Sequence, residues 1–223
     1  MNTSVIIWVL ISVSFTTYFI VSMIYKKLGV NNLQTALVAS NGLRLLNLKH
    51  LLGIVLFGIL FYTIIPDLRF LVDSITIPRL YVLLLFLSIL FLCAYLSKLS
   101  ANEFEIENED KSHYDFSNAW VYFIIRFSFL LCYEFFFRGV LLFKFLEFTN
   151  LPLAILYGTI LYVLIHIFDS KKEIIGAIPF GIVLYVFTYF TNSIWYAFFI
   201  HLALSAVYEI SLFYCLTLKS KIS

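Results

Sequence analysis

Seven apolar runs separated by short polar breaks leave this chain almost no way to fold outside a membrane. They lie near Ser4 to Ile24, Leu51 to Ile65, Leu80 to Leu96, Ala119 to Glu147, Pro152 to Phe168, Ile174 to Phe190 and Ile194 to Leu218. A hydrocarbon core about 30 Å thick is crossed by about 20 apolar residues of helix. Inside it no water satisfies the backbone, so each run must close its own hydrogen bonds as helix. Hydrophobic residues make up 62% of the chain and charged residues 13%, whereas soluble domains average about 45–50% and about 25%. The expected fold is therefore all-α, a polytopic membrane helical bundle of about seven transmembrane helices. The 223 residues leave no room for a separate soluble domain. A single membrane domain over 1–223 is expected, with three N-terminal spans in 1–97, an acidic loop over 98–118 and a four-helix core over 119–218.

Charge placement orients the bundle. The first run is too long for a signal-peptide core, lacks a small-residue cleavage site and is followed by Lys26 and Lys27, so it should remain as an anchor. Loops on one side carry Lys26, Lys27, Arg44, Lys49, Lys98, Lys111, Lys171, Lys172, Lys219 and Lys221, and the other side carries Arg69, Arg79 and Lys144. The positive-inside rule then sets the N-terminus outside and the C-terminus cytoplasmic, in the cell membrane. Glu103, Glu105, Glu107, Glu109 and Asp110 mark the acidic loop as a solvated linker. The formal charge of +2 is too small and scattered for nucleic-acid binding. Cys93, Cys132 and Cys215 sit in apolar stretches without paired spacing and read as small buried hydrophobes.

Against that background, Arg126, Glu134, Arg138, His166, His201 and Glu209 stand at membrane depth, where ionisable groups are costly and mark function. Glu134 and Arg138 are four residues apart, share a helix face and form an ion pair with the acid on the favourable N-terminal side. Thr149-Asn150-Leu151-Pro152 reads as a turn between two helices. Glu134 lies 15 residues before Thr149 and His166 lies 14 after Pro152. At about 1.5 Å per residue, both sit about 21–23 Å from the turn and are level across the hairpin. His201 is about 12 Å below a second turn at Thr191-Asn192-Ser193. Matching its depth requires the outer end of the fourth span to rise beyond the membrane. His201 shares a face with Ser205 and, one turn further, with Tyr208 and Glu209, so that face should look into the bundle. Arg126 and Glu209 themselves read as structural or interfacial.

The run Tyr133-Glu134-Phe-Phe-Phe-Arg138-Gly139, then Tyr162-x-x-x-His166, then Ser193-Ile-Trp195 leading into His201-x-x-x-Ser205, resembles the CAAX protease and bacteriocin-processing (CPBP, abortive-infection) family of intramembrane endopeptidases. The likeness covers roughly Ala119 to Tyr208, including Gly176 and Gly181 in the helix before the third motif. It implies a glutamate that activates water, assisting histidines and an oxyanion-stabilising Asn. The family's first, usually catalytic, Glu maps onto Tyr133 and its second onto Glu134. Its Asn maps onto Ser205, and the Phe of its middle motif is Tyr162. Some members also read aromatic-Glu-Phe-Phe-Phe-Arg-Gly and carry a Glu seven residues after the first His, which here is Glu173.

Hydrolysis inside a membrane needs a base active near neutrality and a donor for the developing oxyanion. An unperturbed phenol, with a pKa of about 10, is no base at neutral pH, so Tyr133 would donate a hydrogen bond. Glu134 would polarise water with Glu173 substituting for the missing acid, His166 and His201 would move protons, Arg138 would orient Glu134, and Ser205 or a histidine would hold the oxyanion. Two histidines and a carboxylate also suit a divalent metal, with His166, His201 and Glu134 as ligands of zinc. Glu173 has a second reading, as a cap at the start of the sixth long helix. The expected activity is an intramembrane endopeptidase acting on a membrane-associated or lipidated peptide. The alternative is a catalytically impaired relative serving as a membrane immunity, scaffold or chaperone protein, and a small proton-relay transporter is a third class.

Overall fold

A computed structural model describes residues 3–107 and 119–218, with side chains over 4–101 and 119–214. α1 spans Thr3–Lys27 and α2 is the short Leu33–Val38. α3 starts as Gly42–Gly53, runs through a π-helical segment, Ile54–Ile59, and ends as Leu60–Ile64. A 3-10 turn at Pro66–Leu68 and the short α4, Phe70–Asp73, lead to α5, Leu80–Glu107. α6 starts as Ala119–Glu134, passes through a second π-helical segment, Phe135–Leu141, and finishes as Leu142–Leu146. α7 is Leu151–Ile165 with a 3-10 turn at His166–Phe168, α8 is Lys171–Thr191 and α9 is Trp195–Leu218.

Six described helices are long and apolar enough to cross a membrane: Ser4–Lys27, Gly42–Ile64, Leu80–Ala101, Leu151–Phe168, Lys171–Thr191 and Trp195–Tyr214. The seventh expected span is the α6 column, which differs from them in carrying Arg126, Glu134 and Arg138 around its π-helical segment. The protein is an all-α integral membrane bundle. Its outer surface is apolar, with Val9 and Val13 of α1, Leu84 and Phe91 of α5, and Ile178 and Ile182 of α8 exposed where lipid tails would lie.

Two boundaries differ from the sequence reading. The second span begins at Gly42 rather than Leu51, because Leu43, Leu46 and His50 are buried and hold the polar first turns of α3 in the bundle. The acidic loop expected from Lys98 is helical as far as Glu107; its remainder, with Glu109, Asp110 and Lys111, lies outside the described residues, as do Lys219 and Lys221.

Local chemistry explains the helix ends around the hairpins. Asn150, in extended backbone, accepts a hydrogen bond from the Leu153 amide at 3.1 Å and is followed by a proline in the first turn of α7. Ser170 and Glu173 form a reciprocal capping box that starts α8. Asn192 adopts a left-handed conformation with φ +50° and ends α8.

In lipid, helices associate through close packing rather than by escaping water. The core is accordingly aromatic and tight. The two π-helical segments face each other, with the Phe57 and Phe136 rings stacked at 4.4 Å. Gly58 permits the approach, since a Cβ there would stand 2.3 Å from Cys132 Sγ. On the side facing the α8–α9 turn, the segment around α4 is strapped to that turn. Ile194 N donates to Leu71 O at 3.0 Å, Trp195 Nε1 to Val72 O at 2.7 Å, and Tyr196 Oη to Thr76 O at 2.6 Å.

Candidate active site

α6 and α9 run antiparallel and are pinned by two polar rungs. The first joins Glu134 to His201 and the second joins Arg126 to Glu209. Eight residues back along α6 corresponds to eight residues forward along α9, so the register is continuous across about two helical turns.

At the first rung His201 Nδ1 lies 2.5 Å from Glu134 Oε1. A carboxylate only accepts, so Nδ1 carries the proton and Nε2 keeps its lone pair. The other oxygen, Oε2, faces Arg138 Nε at 3.2 Å, and the Glu134 and Arg138 side chains are both 0% exposed. This is the expected i,i+4 pair. Its guanidinium is boxed by two rings, with Cζ 4.0 Å from the Tyr162 centroid and 4.9 Å from that of Tyr185. Small residues make the box: a Cβ on Gly181 would sit 3.1 Å from Tyr162, and one on Gly158 would sit 2.4 Å from the Tyr185 hydroxyl. Gly176, by contrast, has nothing within 4 Å of its would-be Cβ.

Tyr133 stands between the two histidines. Its ring centroid is 6.2 Å from that of His201 and 6.5 Å from that of His166, and its hydroxyl lies 3.5 Å from His166 Nε2. His166 Nδ1 is held by Asp169 Oδ2 at 2.8 Å. His166 is 22% and Asp169 29% exposed at the side chain. The depth matching expected across the two hairpins is therefore met, since side chains from α6, α7 and α9 touch at one level. Asp169 had no place among the expected residues. Its signal was His166-Ile-Phe-Asp169, an acid three residues after a histidine.

At the second rung Arg126 Nε donates to Glu209 Oε1 at 2.9 Å and Nη2 donates to Ser205 Oγ at 3.1 Å. Ser205 in turn donates to Glu209 Oε1 at 2.9 Å, and Tyr122 Oη donates to Glu209 Oε2 at 3.0 Å. Ser205, expected at the oxyanion, thus has its proton on Glu209. Glu173 is exposed at the α8 cap, bonded to the Ser170 amide at 2.7 Å, and does not join the Glu134 group. The zinc set of His166, His201 and Glu134 is not assembled either. Among the described residues no three His, Cys, Asp or Glu side chains group as metal ligands, because His166 Nδ1 turns to Asp169 while Glu134 is held by His201 and Arg138.

Residues 115–207 match the family of type II CAAX prenyl endopeptidase Rce1-like proteins. Over this segment the chain is similar to the CAAX protease family. The match takes in all three motifs, from Tyr133 to Ser205, and brings with it a membrane setting and a peptide substrate at the level of the family. No curated protein and no solved structure matches the chain.

Proposed function

We propose that the protein is an intramembrane endopeptidase hydrolysing a peptide bond of a membrane-associated or lipidated peptide, set in the cell membrane with its N-terminus outside. The observation that carries this reading is the buried Glu134–His201 contact of 2.5 Å beside Tyr133 and His166. Glu134 fixes the His201 ring, Arg138 fixes Glu134, and imidazole at this level supplies the proton transfers that amide hydrolysis requires. A low-dielectric surround strengthens each of these interactions relative to water.

The test is cleavage of a library of lipidated and transmembrane peptides by the purified full chain in nanodiscs, read by mass spectrometry. Wild type is expected to cut a subset, and His201→Ala is expected to cut none. A wild type that leaves the whole library intact overturns the proposal.

A second reading, a catalytically impaired relative acting as an immunity, scaffold or chaperone protein, is favoured by one specific arrangement. Tyr133 stands where the family pattern has its first Glu, and the Ser205 hydroxyl is already committed to Glu209. Under this reading wild type is inert while the double variant Tyr133→Glu, Ser205→Asn gains cleavage. An active wild type excludes it.

A further inference from the structure

We infer that Asp169 is a positioning residue that makes His166 Nε2 the general base, taking over the task of the acid that Tyr133 replaces; this rests on the endopeptidase reading above. Glu134 is poorly placed for that role, since it is fully buried with one oxygen on His201 and the other on Arg138. His166 is the more open imidazole, at 22% exposure against 11% for His201, so water reaches it first.

The geometry of the turn does the rest. α7 ends at Ile165, and the 3-10 turn His166–Phe168 brings Asp169 back beneath the ring, where Asp169 N also bonds to His166 O at 2.9 Å. With Nδ1–H given to Oδ2 at 2.8 Å, the lone pair on Nε2 is directed at Tyr133 Oη, 3.5 Å away. That separation is at the limit of a direct bond. Tyr133 Oη and Nε2 thus frame the place where the attacking water is held. The other titratable groups around this pair are Tyr162 on the same helix, Glu134 and His201 beyond Tyr133, and Tyr18 of α1 and Lys49 of α3, which lie within electrostatic range of Asp169.

In the reaction, Nε2 takes one proton from water as its oxygen bonds to the scissile carbonyl carbon. Ionised Asp169 stabilises the imidazolium formed, as a buried carboxylate does for histidine in hydrolytic triads. Collapse breaks the C–N bond, and the leaving amine takes the proton back from Nε2. The two products together contain the peptide plus one water, and His166 is returned neutral.

The experiment compares wild type, Asp169→Asn and Asp169→Glu in nanodiscs by steady-state cleavage, together with 15N NMR of histidine-labelled protein. Asp169→Asn is expected to lower kcat about 10²- to 10⁴-fold with KM within about threefold, and to mix the His166 tautomers. Asp169→Glu should recover cleavage to within about tenfold of wild type. Wild-type His166 should show a protonated Nδ1. A wild type that cleaves while Asp169→Asn keeps its kcat, or changes KM alone, overturns the base assignment. A wild-type His166 protonated on Nε2 overturns it also. A wild type without any cleavage overturns the endopeptidase reading and the base assignment with it, while the tautomer still reports whether Asp169 holds the ring.

Discussion

The two rungs between α6 and α9 use the same ingredients to different ends. At Arg126–Glu209 every oxygen of the acid is bonded, one to Arg126 and Ser205 and the other to Tyr122. At Glu134–His201 the acid spans a histidine and an arginine whose Nε stands 3.2 Å from Oε2 while its guanidinium lies against the Tyr162 and Tyr185 rings. A fully bonded buried pair fixes register and little else. A pair whose guanidinium faces rings more than oxygen acceptors, beside a π-helical segment of the kind often found at functional sites, suits the proposed chemistry better than a purely structural task. Under the proposed function the second, here the lower, rung at Arg126–Glu209 aligns the helices, and the first, the upper rung at Glu134–His201, carries the chemistry.

The sharpest break in this comparison is Glu134→Gln, which removes the charge but keeps the shape. Cleavage is expected to fall about 10²- to 10⁴-fold, measured on a peptide that wild type cuts; undiminished turnover would make the upper rung structural too. Next, Arg126→Met strands Glu209 in apolar surroundings and should cost about 3–5 kcal/mol, while Arg126→Met with Glu209→Met should regain most of it. Thermal unfolding in detergent reads both, and cleavage per folded molecule should stay within about threefold of wild type. An activity loss that the double variant fails to repair would move the lower rung into the catalytic machinery.

Smaller effects sharpen the boundary between the two. Arg138→Lys keeps the charge but loses the planar guanidinium between Tyr162 and Tyr185, and is expected to cost about 0.5–2 kcal/mol, with slower cleavage as Glu134 loosens. An unchanged melting temperature would mean the aromatic box contributes nothing. Glu173→Ala should remove only its capping contribution, about 0.3–1 kcal/mol, and leave turnover intact. Loss of turnover there would restore the catalytic role that the resemblance suggested.

The fold was largely legible in the sequence because membrane-length apolar runs have one backbone solution. Glu134, Arg138 and the meeting with His201 were legible for a related reason: charge at that depth has to find a partner, and helical rise fixes the level of each residue. The partners of Ser205 were not legible, because spacing places it on one face of α9 without revealing that Arg126 and Glu209 bond its hydroxyl. Asp169 was missed because its contact depends on the 3-10 turn after His166, and an acid three residues after a histidine is too common a spacing to single it out. The π-helical segments were equally hidden, since they arise from how α3 and α6 pack around Phe57 and Phe136.

The strap around α4 ties two distant stretches of the chain together at one end of the bundle. Main-chain carbonyls of Leu71, Val72 and Thr76 stitch the opening half of the chain to the start of α9, and Leu71 seals against Gly139 just beyond Arg138. Because those bonds hold Trp195 and Tyr196 within about two helical turns of His201, they set the level at which its imidazole meets Glu134.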